Sequence, residues 1–114
     1  MLRFIHISDL HLQKNDKKEE NENLNNLVRY ITDEYKSSSD KPLILITGDI
    51  VQNGKQEEYD NAVRLLKPLN SNFDILVCPG NHDYGPAGNI YTEGAQARYL
   101  TEIHGKLLCI GKYV

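Results

Sequence analysis

The sequence is poor in cysteine: Cys78 and Cys109 are the only two, and no CxxC pair occurs. That excludes a disulfide framework and a thiolate zinc site. Cys78 lies inside an apolar run, where a buried reduced thiol is the expectation. No stretch approaches the roughly 20 apolar residues of a membrane-spanning helix. The N-terminus lacks the long apolar segment of a signal peptide, so a cytoplasmic protein with no membrane partner is expected. Positive charge is not in excess either. The net charge of −3 argues against a nucleic-acid polymer as partner. A phosphate-bearing substrate stays open, because bound metal ions can supply local positive charge. There is no internal repeat and no low-complexity tract.

What is present is an ordinary globular composition, 39% hydrophobic and 25% charged over 114 residues. That length makes a single domain near the lower end for an α/β enzyme. Three short apolar runs each lead into polar, ligand-type residues. Leu2 to Ser8 reads as a strand of the kind covered on both faces, ending at Asp9 and His11. His6 within it reads as a packed strand histidine. Leu43 to Thr47 is a second strand, ending at Gly48 and Asp49. Asp74 to Cys78 is a third, ending in a Pro79-Gly80 turn followed by Asn81, His82 and Asp83.

Helices separate the strands. Lys14 to Asn23 is polar and reads as a solvated loop. From about Glu22 to Lys36, Leu24, Leu27, Val28, Ile31 and Tyr35 fall on one helical face. Gln56 to Lys67 places Tyr59, Ala62, Val63 and Leu66 on one face, with Pro68 as its stop. The β-α-β-α-β order predicts parallel strands with right-handed crossovers and a site at their C-terminal ends. Beyond Asp83, Thr92 is a candidate cap for a helix from about Glu93 to His104, with Ala95, Tyr99, Leu100 and Ile103 inward and Gly105 as terminator. Leu107 to Ile110 reads as the start of a fourth strand.

Asp9 and His11, two apart in an extended segment, point to the same side and can offer a carboxylate oxygen and an imidazole nitrogen to one ion. Asp49 lies close to an apolar strand, where an unpaired carboxylate is costly and a metal ion would relieve the cost. Asn81 offers a neutral oxygen. His82 suits a proton donor or a phosphate-binding group, and Asp83 suits a partner that orients its imidazole. Singly, each has a plain structural reading: Asp49 caps a turn, Asn81 supports the Pro-Gly turn, His11 is a surface residue. Together, at three successive strand ends, they point to one site.

Asp9-x-His11, Gly48-Asp49 through Gly54, and Gly80-Asn81-His82-Asp83, in that order, resemble the first three motifs of the calcineurin-like metallophosphoesterases. The segments around Asp9 and Asp49 look most like the branch containing bacterial cyclic-nucleotide phosphodiesterases. The resemblance implies an α/β/β/α sandwich, of which this chain carries the first β-α-β-α-β half. It implies two divalent or mixed-valence metal ions, manganese, iron or zinc, with Asp9 and His11 on the first, Asp49 bridging and Asn81 on the second. It further implies attack on phosphorus by a bridging hydroxide, with His82 and Asp83 as the catalytic pair and a small phosphoester such as a cyclic nucleotide as substrate. The later lone histidine and Gly-His-x-His motif of the family do not occur. The chain is therefore expected to be a truncated domain over residues 1–114, completed by a missing C-terminal half or by self-association. The alternative is a non-catalytic product that binds metal or phosphate only.

Overall fold

The computed structural model describes residues 3–15, 18–84 and 94–104. Three strands, β1 (Phe4–Ile7), β2 (Leu43–Thr47) and β3 (Ile75–Cys78), form a parallel sheet in the order β1-β2-β3. Helix α1 (Lys18–Tyr35) joins the first two and α2 (Gln56–Asn72) the last two. A 3-10 turn (Asn81–Tyr84) follows β3, and a short α3 (Ala95–Arg98) runs into a π-helical turn (Tyr99–His104). The chain is thus α/β, as expected for the N-terminal half of a metallophosphoesterase fold.

Both crossovers step in the same direction across the sheet. Right-handed crossovers of that kind put both helices on one face. The burial pattern agrees. Ile5, Ile44 and Ile75 share a row, as do Ile7, Ile46 and Val77. Ile7, Ile44, Ile46, Ile75 and Val77 are buried in a core with Leu24, Val28 and Ile31 of α1 and Tyr59, Ala62, Leu66 and Leu69 of α2. On the opposite face Phe4 is 55% exposed, while Leu43, Leu45 and Leu76 are half-buried and His6, Thr47 and Cys78 exposed. The strand β1 expected to be covered on both faces is therefore covered on one. Cys78, expected to be buried, points to the open side and is exposed.

The helices depart from expectation at their ends for identifiable reasons. Helix α1 begins at Lys18, inside the polar run read as loop, with Glu19 and Glu20 in its first turn. Carboxylates there favour the positive end of the helix dipole. Its buried residues include Asn21, which carries no apolar signal. Leu27, expected on the inner face, is 41% exposed. Helix α2 does not stop at Pro68 but continues to Asn72. An internal proline costs about 3 kcal/mol. Burial of Leu69 within the helix and of Phe73 just past it offsets that cost, since each large apolar side chain contributes roughly 1.5–3 kcal/mol. Near residue 100, Tyr99 and Ile103 are buried as expected, but Leu100 is 50% exposed. The one extra residue per turn of a π-helix turns Leu100 off the inward face. Thr92, Gly105 and the Leu107–Ile110 strand lie outside the described residues.

Candidate metal centre

All three strands release their chains at the same edge of the sheet, and the two longer connections stay paired beyond it. Asp9 N–H donates to Gly48 O at 3.1 Å, His11 N–H to Asp49 O at 2.8 Å and Leu12 N–H to Ile50 O at 2.9 Å. Gln52 N–H returns to Leu12 O at 2.9 Å. This ladder sets Asp9 and His11 beside Asp49. Three non-glycine residues here adopt left-handed backbone: Asp9 (φ 57°), His11 (φ 48°) and Asp49 (φ 50°). Such conformations are uncommon outside glycine and cost of order 1 kcal/mol or more each. They fall on three of the four residues expected to hold metal.

The third strand end docks against the second by close backbone contact. A Cβ on Gly48 would lie 2.7 Å from Gly80 N, and one on Gly80 would lie 2.3 Å from Asp49 Oδ1. The bare backbone there lets His82 N–H donate to Asp49 Oδ1 at 2.9 Å. That bond fixes one oxygen of the bridging candidate. The other, Oδ2, stands 3.9 Å from His11 Nε2, and Asp9 Oδ1 stands 3.7 Å from the same nitrogen. The His11 and His82 rings meet edge to face, centroids 4.6 Å apart.

His11, Asp49 and His82 each present a ligand atom within 4.8 Å of the other two. The residues fit a metal ion. The imidazole–carboxylate separations are too long for hydrogen bonds, so the groups converge without satisfying one another. The buried Nδ1 of His11 has no hydrogen-bond partner among the described residues. Mixed imidazole and carboxylate donors suit a divalent transition metal. Asn81, solvent-exposed, opens the 3-10 turn immediately before His82.

Asp83 does not sit where the sequence places it. It is fully buried and its carboxylate faces backbone, not imidazole. Oδ1 accepts from Val51 N–H at 2.9 Å and Oδ2 from Gly80 N–H at 2.8 Å. The Tyr59 hydroxyl donates to the Asp83 carbonyl. Asp83 is thus a clip between the loops after β2 and β3. Burial pushes its carboxyl above the ordinary value, opposed by the donated N–H groups and reinforced by the nearby Asp49 charge. The partner of the His82 ring is instead a backbone carbonyl: Nδ1 lies 2.9 Å from Gln52 O. A carbonyl only accepts, so Nδ1 carries the proton there and Nε2 is left for chemistry.

The Gln52 loop is itself held from α2. The buried Glu58 carboxylate accepts from Asn53 N–H at 2.8 Å, Asn53 Nδ2 at 2.9 Å and Lys55 N–H at 3.2 Å. Arg98 Nε donates to Gly54 O at 2.9 Å. Sequence reasoning passed over Glu58, yet a glutamate at the third position of a helix is a capping signal. It passed over the Tyr59 hydroxyl too, since an apolar stripe accounts for the ring alone. Replacing Tyr59 by Phe is expected to lower stability by about 1 kcal/mol, read as a shift in urea midpoint at unchanged slope.

The parallel α/β sheet thus gathers imidazole and carboxylate groups at its C-terminal edge into a group that could hold a metal ion. The family model for calcineurin-like phosphoesterases matches residues 2–110, and the chain belongs to that family. It is also similar to the 3',5'-cyclic adenosine monophosphate phosphodiesterase CpdA of Haemophilus influenzae, 30% identical over 89 residues. That match covers 75% of this chain and 31% of the relative, so the chain spans about a third of the relative's length. The family's description is that of phosphoesterases. Among the described residues no helix is long and apolar enough to cross a membrane.

Proposed function

We propose that this chain supplies the N-terminal ligand arms of a dinuclear phosphodiesterase that hydrolyses a small phosphodiester such as a cyclic nucleotide. The observation that carries the reading is the convergence of His11, Asp49 and His82, with one Asp49 oxygen tied to the His82 backbone. The named activity of the Haemophilus influenzae relative supports the substrate class. Manganese, iron or zinc suits these donors. When bound, the ions supply the charge that polarises the phosphoryl group and acidifies the attacking water.

This chain's residues supply the first three arms of the site. Asp9 and His11 form one arm, Asp49 lies between, and Asn81 opens the third. His82 keeps Nδ1 on the Gln52 carbonyl and offers Nε2 to the phosphate or to the leaving oxygen. Loss of a general acid typically costs 10²- to 10⁴-fold. His82→Ala is therefore expected to lower Mn²⁺-dependent hydrolysis of bis(nitrophenyl) phosphate and of 3',5'-cyclic AMP by roughly 100-fold or more. With the C-terminal half of the fold supplied, a protein that binds Mn²⁺ but turns over neither ester would overturn the proposal. Turnover of the nitrophenyl ester alone would keep the reaction and remove the cyclic nucleotide.

A further inference from the structure

We infer that Asn61, in the middle of α2 and far from any ligand position in sequence, is a positioning residue for His11. The inference rests on the metal-centre reading above. Asn61 is 3% exposed. A buried amide is costly unless its hydrogen bonds are made, and this one makes its bonds across elements. Its Nδ2 donates to the Gln13 backbone carbonyl at 2.8 Å and to Asn21 Oδ1 of α1 at 2.9 Å. Its Oδ1 accepts from Arg64 Nη2 at 2.7 Å. Arg64 Nη2 also donates to Asn15 Oδ1 at 2.7 Å, so the network grips the chain again two residues further on.

Gln13 is two residues past His11. Between them Leu12 is fixed to the neighbouring loop in both directions, through Ile50 O and Gln52 N–H. His11 thus sits in a left-handed conformation with the ladder on one side and the Asn61 amide on the other. A left-handed residue persists only where its surroundings hold it. Freed at Gln13, the segment can relax toward ordinary backbone angles, and the His11 ring then moves off its place beside Asp9 and Asp49. No other described side chain is seen to donate to the Gln13 carbonyl, so the amide is the anchor of the outgoing chain.

Partners that orient a metal ligand typically carry 10- to 100-fold in metal affinity. Asn61→Ala is expected to weaken Mn²⁺ binding, measured by titration calorimetry, by roughly tenfold or more. In the metal-free protein it is expected to speed amide hydrogen exchange at His11 and Leu12. Val63→Ala, on the same helix and without a polar link to the loop, serves as the stability control. It is expected to lower the melting temperature while leaving Mn²⁺ affinity within about twofold, as a change remote from the ligands should. If Asn61→Ala does not fold, Asn61→Asp replaces it: the carboxylate keeps the shape but cannot donate to the Gln13 carbonyl, and Mn²⁺ binding is expected to weaken by roughly tenfold. Affinity within twofold of wild type in the folded variant, or an equal loss in Val63→Ala, overturns the inference. A wild-type protein that takes up no Mn²⁺ defeats the metal-centre reading itself and this inference with it.

Discussion

Gly80→Ala is expected to disable the metal centre and loosen the fold together. The added Cβ would stand 2.3 Å from Asp49 Oδ1, 2.6 Å from Asp49 N and 2.8 Å from Asp49 Cγ. No side-chain rotation relieves a contact with a backbone nitrogen, so the two loops must separate. Separation breaks the His82 N–H bond to Asp49 and draws the Asp83 clip off Gly80. Overpacking of this kind costs roughly 1–3 kcal/mol. Displacing a ligand and its support should weaken Mn²⁺ binding by about 100-fold. Calorimetric titration and a urea curve on one preparation read both effects. A Gly80→Ala protein with unchanged Mn²⁺ affinity would show that the loops do not need this close approach. Gly48 is the other half of the contact, and its φ of 104° adds strain to any substitution there.

The second large effect is expected at Asp83. Asp83→Ala leaves the N–H groups of Val51 and Gly80 buried without acceptors. An orphaned buried donor costs about 1–3 kcal/mol, so a loss of about 3 kcal/mol or more is expected at pH 7. Asp83→Asn keeps the volume but turns an NH₂ group toward one of the two donors, for about 2 kcal/mol. The two variants also test the pH dependence. With its carboxyl raised above the ordinary 3.8, native Asp83 holds a proton more tightly than the unfolded chain does. Its contribution is therefore greatest in acid and declines as pH rises from 3.8 through the raised value. Above that the contribution is flat. The pH slope of stability across this window, read from denaturant curves, should differ between the wild type and Asp83→Asn. Wild-type stability in Asp83→Asn at pH 7 would remove Asp83 from its role as a clip.

Much of the frame was legible in the sequence, because apolar runs bounded by turn residues report strands directly. The expected range of β2 matches the observed one residue for residue. Helix ends were less legible. An early start at Lys18 depends on Asn21, whose inward position carries no apolar mark, and the run past Pro68 depends on Leu69 and Phe73 finding the core. At the site, the ligand-type residues of all three motifs come to one edge of the sheet. The relation of His82 to Asp83 was not legible. Neighbours in sequence suggest partners, but a 3-10 turn sends consecutive side chains about 120° apart. His82 therefore faces the cluster while Asp83 faces the core. The true partner of His82 is a carbonyl at Gln52, and a carbonyl belongs to every residue type alike. The contact between Gly48 and Gly80 is hidden for a similar reason, since a glycine signals freedom without saying what comes near it.

The ladder between the two ligand loops makes ion uptake and chain folding draw on one equilibrium. Asp9 and His11, Asp49, and His82 are brought together only when both crossovers have closed and all three strands lie in register. The unfolded chain holds these groups tens of residues apart, so it competes weakly for the ion. An ion present at a hundred times its Kd would then favour the registered sheet by about 2.7 kcal/mol. A divalent cation bound at this centre would thus become part of what holds the three strands together.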